Sequence, residues 1–242
     1  MGSILLGLGA ALVALLGPLV AGSIRYHASE GAVDQVMGGD VAALLLAAPV
    51  GILAGILVWR GHPAGRALAL GPASYALYMY SQLALGGDVF RYPGNSERFF
   101  PLFLGLFVLA GAVAVRAWGT LDAEKLPGAS RRVDRTLGGF FLVVAAFVTL
   151  GLHVPGLLDA WADQPVGAEY LADPAVFWLV KFMDLGIVVP ALLLAGVGLL
   201  DGGQWVAIAL TAFAAIALAM AVIVYRPLFG TRGGHPSLLS RR

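Results

Sequence analysis

The stretch AVFWLVKFMDLGIVVPALLLAGVGLL, residues 175–200, decides the fold of this chain. A bilayer core about 30 Å thick is crossed by a helix of about 20 mainly apolar residues, and this stretch exceeds that length. Lipid offers no hydrogen-bonding partner to peptide groups, so a stretch of this kind must be helical. The sequence therefore predicts a membrane-spanning helix over these residues.

Six further stretches have similar length and apolar character, and they comprise residues 3–24, 40–59, 66–86, 99–118, 137–154 and 204–225. Of the 242 residues, 60% are hydrophobic and only 12% are charged, which is far more apolar than a soluble domain. The predicted fold is an all-α polytopic transmembrane helix bundle of about seven spans. It forms one integral membrane domain over residues 1–242, with the lipid bilayer as its surroundings.

The first stretch has one alternative interpretation, a secretory signal, because Ala21 and Gly22 are small residues near its end. A signal of that kind has a basic segment before an apolar run of roughly 7–15 residues. This stretch lacks the basic segment and its apolar run is about 19 residues by the same criterion. We expect a retained helix.

The basic residues of the connections predict the orientation, because Lys and Arg are enriched on the cytoplasmic side. The second and fourth connections contain Arg60, Arg66, Arg116, Lys125, Arg131, Arg132 and Arg135. The first, third and fifth contain only Arg25, Arg91 and Arg98. We expect an inner-membrane protein with a cytoplasmic N-terminus. Seven spans then place the tail outside, although it contains Arg226, Arg232, Arg241 and Arg242, so either the tail is an exception or one terminal stretch does not span.

Several function classes are disfavoured by composition and by missing motifs. A formal net charge of +1, without a basic cluster, argues against nucleic acid as a partner, and the absence of cysteine excludes thiolate and disulfide chemistry. Phosphate-loop, zinc-protease and hydrolase signatures are not found, so an enzyme is not favoured. Haem would need two facing axial ligands, and His27 and His153 are the two histidines predicted on one side.

Lys181 and Asp184 are the only charges within the stretch quoted above. Residues three apart lie on one face of a helix, so the ammonium and the carboxylate can pair. At about 1.5 Å per residue, Asp184 lies near the bilayer midplane, where it needs a partner, a proton or a cavity. The two residues form a ligand, proton or ion site, or a neutralised structural pair. A third interpretation is a lysine extended to the interface beside a protonated aspartate.

Other polar residues are predicted at similar depth. Tyr75, Tyr78 and Gln82 follow an i, i+3, i+7 spacing on one face of the third span. Asp40 begins the predicted second span and His153 closes the fifth, both at the extracytoplasmic side. Together with Lys181 and Asp184, these residues predict a polar pocket that opens to that side.

Pro18, Pro49 and Pro190 lie within predicted spans. A proline inside a helix removes one hydrogen bond and usually produces a kink. Kinks are expected at these three positions, with Pro190 closest to Asp184.

The segment DPAVFWLVKFMDLGIVVPALLLAGVGLL, residues 173–200, resembles a group of uncharacterised bacterial multi-pass membrane proteins of about seven spans. The segments GDVAALLLAAPVGILAGILVWRG and SYALYMYSQLALG share the resemblance, which extends over about half of the chain. The resemblance implies the arrangement of the spans, and it does not indicate an activity.

These features favour binding of a small ligand, ion or proton in a transporter-like or sensor-like bundle. The alternative is a non-catalytic structural or accessory subunit of a membrane complex, with a membrane protein as partner. A haem-binding or other membrane enzyme is the third candidate. The sequence does not specify a cofactor.

Overall fold

The computed structural model describes residues 1–122, 125–126 and 130–201, and every regular element within them is helical. The α-helices of these residues are α1 (Gly2–Leu16), α2 (Glu30–Ala42), α3 (Ala48–Trp59), α4 (Ala64–Leu85), α5 (Phe100–Gly119), α6 (Arg131–Ala146), α7 (Val154–Ala160), α8 (Ala168–Ala172), α9 (Pro174–Met183) and α10 (Val189–Leu200). A 3₁₀ turn, Ser96–Phe99, precedes α5. The predicted all-α fold is confirmed.

Within the described residues, four continuous helical segments are long and apolar enough to cross a membrane: Glu30–Trp59, Ser96–Gly119, Arg131–Ala160 and Pro174–Leu200. They contain the predicted second, fourth, fifth and sixth stretches. The predicted seventh stretch, residues 204–225, and the arginine-containing tail lie outside the described residues. Four candidate spans therefore support a multi-span membrane protein, and the count of seven stays a prediction.

The first predicted stretch is shorter in the structure, because α1 ends at Leu16 instead of continuing to residue 24. Gly17 is extended, with φ −67° and ψ 179°, as expected for a residue before proline. Pro18 thus ends the helix, and the predicted kink within a span is wrong at this position. The 15 residues of α1 extend for about 22 Å.

The third predicted stretch forms the 22-residue helix α4, which is long enough to span but less apolar than the four segments above. Its tyrosines, serines and Gln82 lower the hydropathy. These polar residues are tolerated because α4 contacts α1, α3, α5 and α9, so protein surrounds much of it.

Three of the described helices begin with a side-chain cap, and in α6 the cap is Ser130, which accepts from the Val133 amide. The second span begins at Glu30, with Ser29 accepting a hydrogen bond from the Ala32 amide, so Asp40 lies inside the helical segment and does not begin it. Asp173 accepts from the Val176 amide and precedes Pro174 at the first turn of α9, as the sequence predicts.

Three π turns interrupt the long helical segments, at Ala43–Ala47, Phe147–His153 and Asp184–Val188. In each segment the α-helix resumes one residue before a proline, namely Pro49, Pro155 or Pro190. A proline cannot donate to the preceding turn, and its ring clashes with the carbonyl four residues earlier. The wider turn accommodates that missing bond, so Pro49, Pro155 and Pro190 each follow a π turn. A kink of the helix axis at Pro49 and Pro190 stays a prediction.

The described helices pack as two groups. The first helix group, α1–α5, surrounds a core that includes Leu6, Tyr80 and Phe103. In the second helix group, α6–α10, α6 packs on α10 around Phe141 and Leu192. Helix α4 contacts α9, and Tyr78 of α4 packs against both cores, so this tyrosine lies at the junction of the groups.

At one end of the bundle, the connections 17–29, 86–95 and 161–173 form a hydrogen-bonded loop cap. The Asn95 side-chain amide donates to the Ser23 carbonyl at 3.0 Å, and the Ser29 amide donates to Asp173 Oδ2 at 3.2 Å. At the other end, Arg66 Nη1 donates to the Thr120 carbonyl at 2.9 Å. The first, third and fifth connections thus share one end, as expected for helices that cross in alternating directions.

Candidate functional site

The Asp184 carboxylate is held from two sides. The Tyr78 hydroxyl donates to Oδ1 at 2.5 Å, and Nε2 of His153 lies 2.9 Å from Oδ2. Tyr78 belongs to the first helix group, whereas His153 and Asp184 belong to the second. This carboxylate therefore connects the two groups through hydrogen bonds.

The π turns position two of these three residues. His153 is the last residue of one π turn and Asp184 is the first residue of another. A π turn contains an additional residue, so it changes the direction of nearby side chains relative to a continuous α-helix. Pro155 and Pro190 follow these two π turns. The prolines therefore help to set the directions of the His153 and Asp184 side chains.

The surroundings of His153 assign its proton. The side chain is 3% exposed, and its Nδ1 has no hydrogen-bonding partner among the described residues. An ionised Asp184 only accepts hydrogen bonds, so Nε2 carries the proton. Nε2 is therefore the donor in the contact with an ionised Asp184.

Lys181 has a different partner from the predicted one. Its ammonium lies 3.7 Å from Glu169 Oε2 and 4.3 Å from the centroid of the Phe177 ring. No ion pair joins Lys181 to Asp184 in the described part of the chain. The reason is that Tyr78 and His153 already occupy both Asp184 oxygens, while α8 places Glu169 beside the ammonium.

A cavity of about 450 Å³ lies between the two helix groups, beneath the loop cap. Six of the seven predicted site residues line it: Tyr75, Tyr78, Gln82, His153, Lys181 and Asp184. The cap contributes His27 and Glu169, and most of the remaining lining is apolar. The volume is within the roughly 300–1,000 Å³ of small-molecule sites.

Asp40, the seventh predicted site residue, is not among the residues that line the cavity. Its carboxylate is 3% exposed and lies against Gly17 at the end of α1, where an added Cβ would lie 2.5 Å from Oδ2. That oxygen has no hydrogen-bonding partner within the described chain. The structure thus separates Asp40 from the Asp184 cluster.

Tyr75 and Gln82 have different surroundings although they share one face of α4. The Tyr75 hydroxyl donates to the Gly39 carbonyl at 3.0 Å, which ties α4 to α2. The Gln82 amide nitrogen is buried without a partner in the described residues. Tyr75 therefore contributes to packing, and Gln82 contributes an unused donor at the cavity wall.

His27 was not predicted as part of a pocket, and the structure places it in the cavity wall. Its Nδ1 lies 2.7 Å from the Tyr92 carbonyl and its Nε2 lies 2.6 Å from Glu97 Oε2. Both partners are acceptors, so the doubly protonated ring satisfies both contacts. The Tyr92 carbonyl, and then the Glu97 carboxylate, raise the pKa of His27 above its usual value. His27 and Glu97 come from different connections, so no local sequence pattern indicates this pair.

The histidine contacts also bear on the haem hypothesis. Both ring nitrogens of His27 face acceptors, and Nε2 of His153 faces Asp184. The remaining nitrogen, Nδ1 of His153, is enclosed by protein. In this arrangement neither ring presents an available nitrogen to the cavity. Among the described residues no group of three or more His, Asp or Glu side chains is arranged to hold a metal ion.

Comparisons with protein-family models, with curated proteins and with solved structures found no match to this chain.

Proposed function

We propose that this protein binds a small ligand, ion or proton in the cavity between its two helix groups, as a transporter-like or sensor-like membrane protein. The observation that carries the proposal is the position of Asp184, which lines the cavity and bonds to both groups. A cavity lined by apolar residues and a few convergent polar groups is the usual form of a small-molecule site.

Asp184 couples the chemistry of the cavity to the packing of the helices. An ionised carboxylate accepts bonds from both Tyr78 and His153. Protonation converts one oxygen into a donor, and the protonated group no longer accepts equally from both partners. A change of proton or ligand at Asp184 therefore alters the contact between α4 and the second helix group, as a transporter or a sensor requires.

The proposed location is the inner membrane of a bacterium, with the N-terminus in the cytoplasm and the loop cap outside. The connections of the cap contain two arginines, Arg25 and Arg91, and no lysine, whereas the opposite end contains Arg66 and the arginines of α6. This charge difference supports an outward-facing cavity. The resemblance to bacterial multi-pass proteins is part of the same proposal.

Direct binding measurements test the ligand version. Purified full-length protein in phosphatidylcholine nanodiscs is titrated by calorimetry with hexanoate, hexanamide and hexylamine, which we call the hexyl probe set. We expect saturable binding of at least one probe. Val180→Trp, in the cavity wall, should abolish it, whereas Val143→Trp, on a residue that is 68% exposed, should not. Equal effects of the two variants, or no saturable binding, would contradict a ligand site.

The proton version is tested by the pH dependence of Asp184. Asp184→Asn should remove one titrating group from the proton uptake of the purified protein, whereas Val143→Trp, at an exposed position without an ionisable group, should leave the uptake unchanged. An uptake by Asp184→Asn that equals that of the wild-type protein across the pH range would show that Asp184 does not exchange protons.

The second candidate, an accessory subunit of a membrane complex, is favoured by apolar side chains exposed on the loop cap. Phe90 is 100% exposed and Val166 is 80% exposed. Large apolar side chains exposed outside the lipid are suited to contact another protein. This function predicts a stable partner after native solubilisation and the loss of that partner in Phe90→Ser, with the hexyl probe set giving no saturable binding.

A further inference from the structure

Lys181 is the charged group of the cavity whose bonding is incomplete. The residue is 5% exposed, and its ammonium carries three N–H donors. It makes no hydrogen bond with any described residue, since the Glu169 oxygen at 3.7 Å is an ion pair beyond hydrogen-bonding distance. A nearly buried ammonium is costly unless it is paired and hydrogen-bonded. Among the described residues, this cation of the cavity therefore has an ion-pair partner and no hydrogen-bond acceptor.

Asp184 does not meet this need. One of its oxygens accepts from Tyr78 and the other is bonded to His153. These two contacts come from outside α9 and direct the carboxylate to the junction of the helix groups. Among the described residues, Glu169 is therefore the only ion-pair partner of Lys181.

Glu169 is suited to be displaced. Its side chain is 43% exposed, so the carboxylate can move to water at little cost. Helix α8 is held in the loop cap through its own carbonyls, because the Arg91 guanidinium donates to the Leu171 carbonyl and the Tyr92 hydroxyl donates to the Ala172 carbonyl. The Glu169 side chain can therefore leave Lys181 without opening the cap.

Much of the remaining cavity wall is apolar. Val148, Leu152, Val176, Leu179, Val180 and Val188 line the same cavity as Lys181. These aliphatic side chains favour a ligand with an alkyl chain.

We infer that the cavity binds a small carboxylate with an apolar chain, whose carboxylate replaces Glu169 as the partner of Lys181. This inference rests on the proposed function and specifies its ligand class. Binding places the acceptor against the ammonium and the chain against the valines and leucines. No covalent step is involved.

The hexyl probe set distinguishes charge from apolar contact, because its members share the chain and differ in the head group. We expect hexanoate to bind the wild-type protein more tightly than hexanamide or hexylamine. Lys181→Met, which keeps the length and the packing on Phe177, should weaken hexanoate binding by about 10- to 100-fold, the usual effect of one hydrogen bond to a charged group. Lys125→Met is the matched control at the other lysine of the chain, which is exposed, and it should leave binding unchanged.

Glu169→Gln tests the displacement. The ligand no longer has to replace a carboxylate, so hexanoate should bind this variant more tightly than the wild-type protein. Unchanged or weaker binding to Glu169→Gln would show that Glu169 and the ligand do not compete.

The outcomes distinguish the proposed ligand site from the assignment of its ligand as a carboxylate. Binding of hexylamine or hexanamide that is lost in Val180→Trp, without preferential hexanoate binding, overturns the carboxylate assignment and leaves the ligand site. Hexanoate binding that is unchanged in Lys181→Met also overturns the carboxylate assignment and leaves the ligand site. If none of the three probes shows saturable binding, both the carboxylate assignment and the ligand site are overturned. A fatty acid released from lipid shares this chemistry, and competition by oleate against hexanoate would identify the membrane as the source.

Discussion

The hydroxyl of Tyr78 donates to Asp184 Oδ1 across the junction between the two helix groups, over a distance of 2.5 Å. Tyr78 also packs against the apolar cores of both groups, so one side chain provides the polar and the apolar contact at this junction. The junction is therefore the place where changes at the site should affect the stability of the whole bundle.

Tyr78→Phe should destabilise the protein by about 1–3 kcal/mol, because it leaves a carboxylate oxygen without its donor. Unfolding in SDS, followed by circular dichroism, measures the change. Tyr170→Phe is the control, since the Tyr170 ring packs edge-on against Phe177 and Trp178. Its effect should stay within about 0.5 kcal/mol. Equal losses in both variants would show that the Tyr78 hydroxyl contributes nothing specific.

Adjacent glycines on α6 provide a matched test of helix packing. A Cβ at Gly138 would lie 2.8 Å from the Gly196 carbonyl of α10, whereas a Cβ at Gly139 would meet nothing within 4 Å. Gly138→Ala should therefore cost about 1–3 kcal/mol in the same SDS unfolding measurement. Gly139→Ala should be neutral or stabilising by up to about 1 kcal/mol, because alanine favours the helix. The opposite order would contradict the close contact of α6 and α10.

The His27 pair should make stability decrease as pH rises. The pKa of His27 is raised in the folded protein, so its contribution is fully present below the unfolded value of about 6.5 and is lost as pH increases through the folded value. Thermal unfolding of the wild-type protein between about pH 6 and pH 9 should show this loss. His27→Gln should remove the dependence, and His62→Gln, in the connection between α3 and α4, should retain it. A wild-type stability that rises over this range would refute the assignment.

The orientation can be measured directly because the chain has no cysteine. In spheroplasts, a membrane-impermeant maleimide should label Asp163→Cys in the loop cap and leave Lys125→Cys unlabelled until the membrane is permeabilised. Labelling in the reverse order would place the loop cap in the cytoplasm. Ser240→Cys, in the tail, should be labelled from outside if residues 204–225 form a seventh span.

The sequence alone determined the all-helical membrane fold, because hydropathy and the need to satisfy peptide groups in lipid depend only on local composition. It also predicted the Asp173 cap and the approximate positions of five of the six described stretches. It identified six of the residues that line the cavity, since polar side chains at membrane depth are rare.

Only the tertiary structure decided which of these residues meet. Lys181 and Asp184 are three residues apart and were expected to pair, yet Asp184 bonds to Tyr78 and His153 while Lys181 lies beside Glu169. The π turns before Pro155 and Pro190, and the position of α8 in the loop cap, determine these contacts. Such pairings join residues that are distant in the chain, and they depend on how helices pack, which the spacing of residues within one helix does not specify.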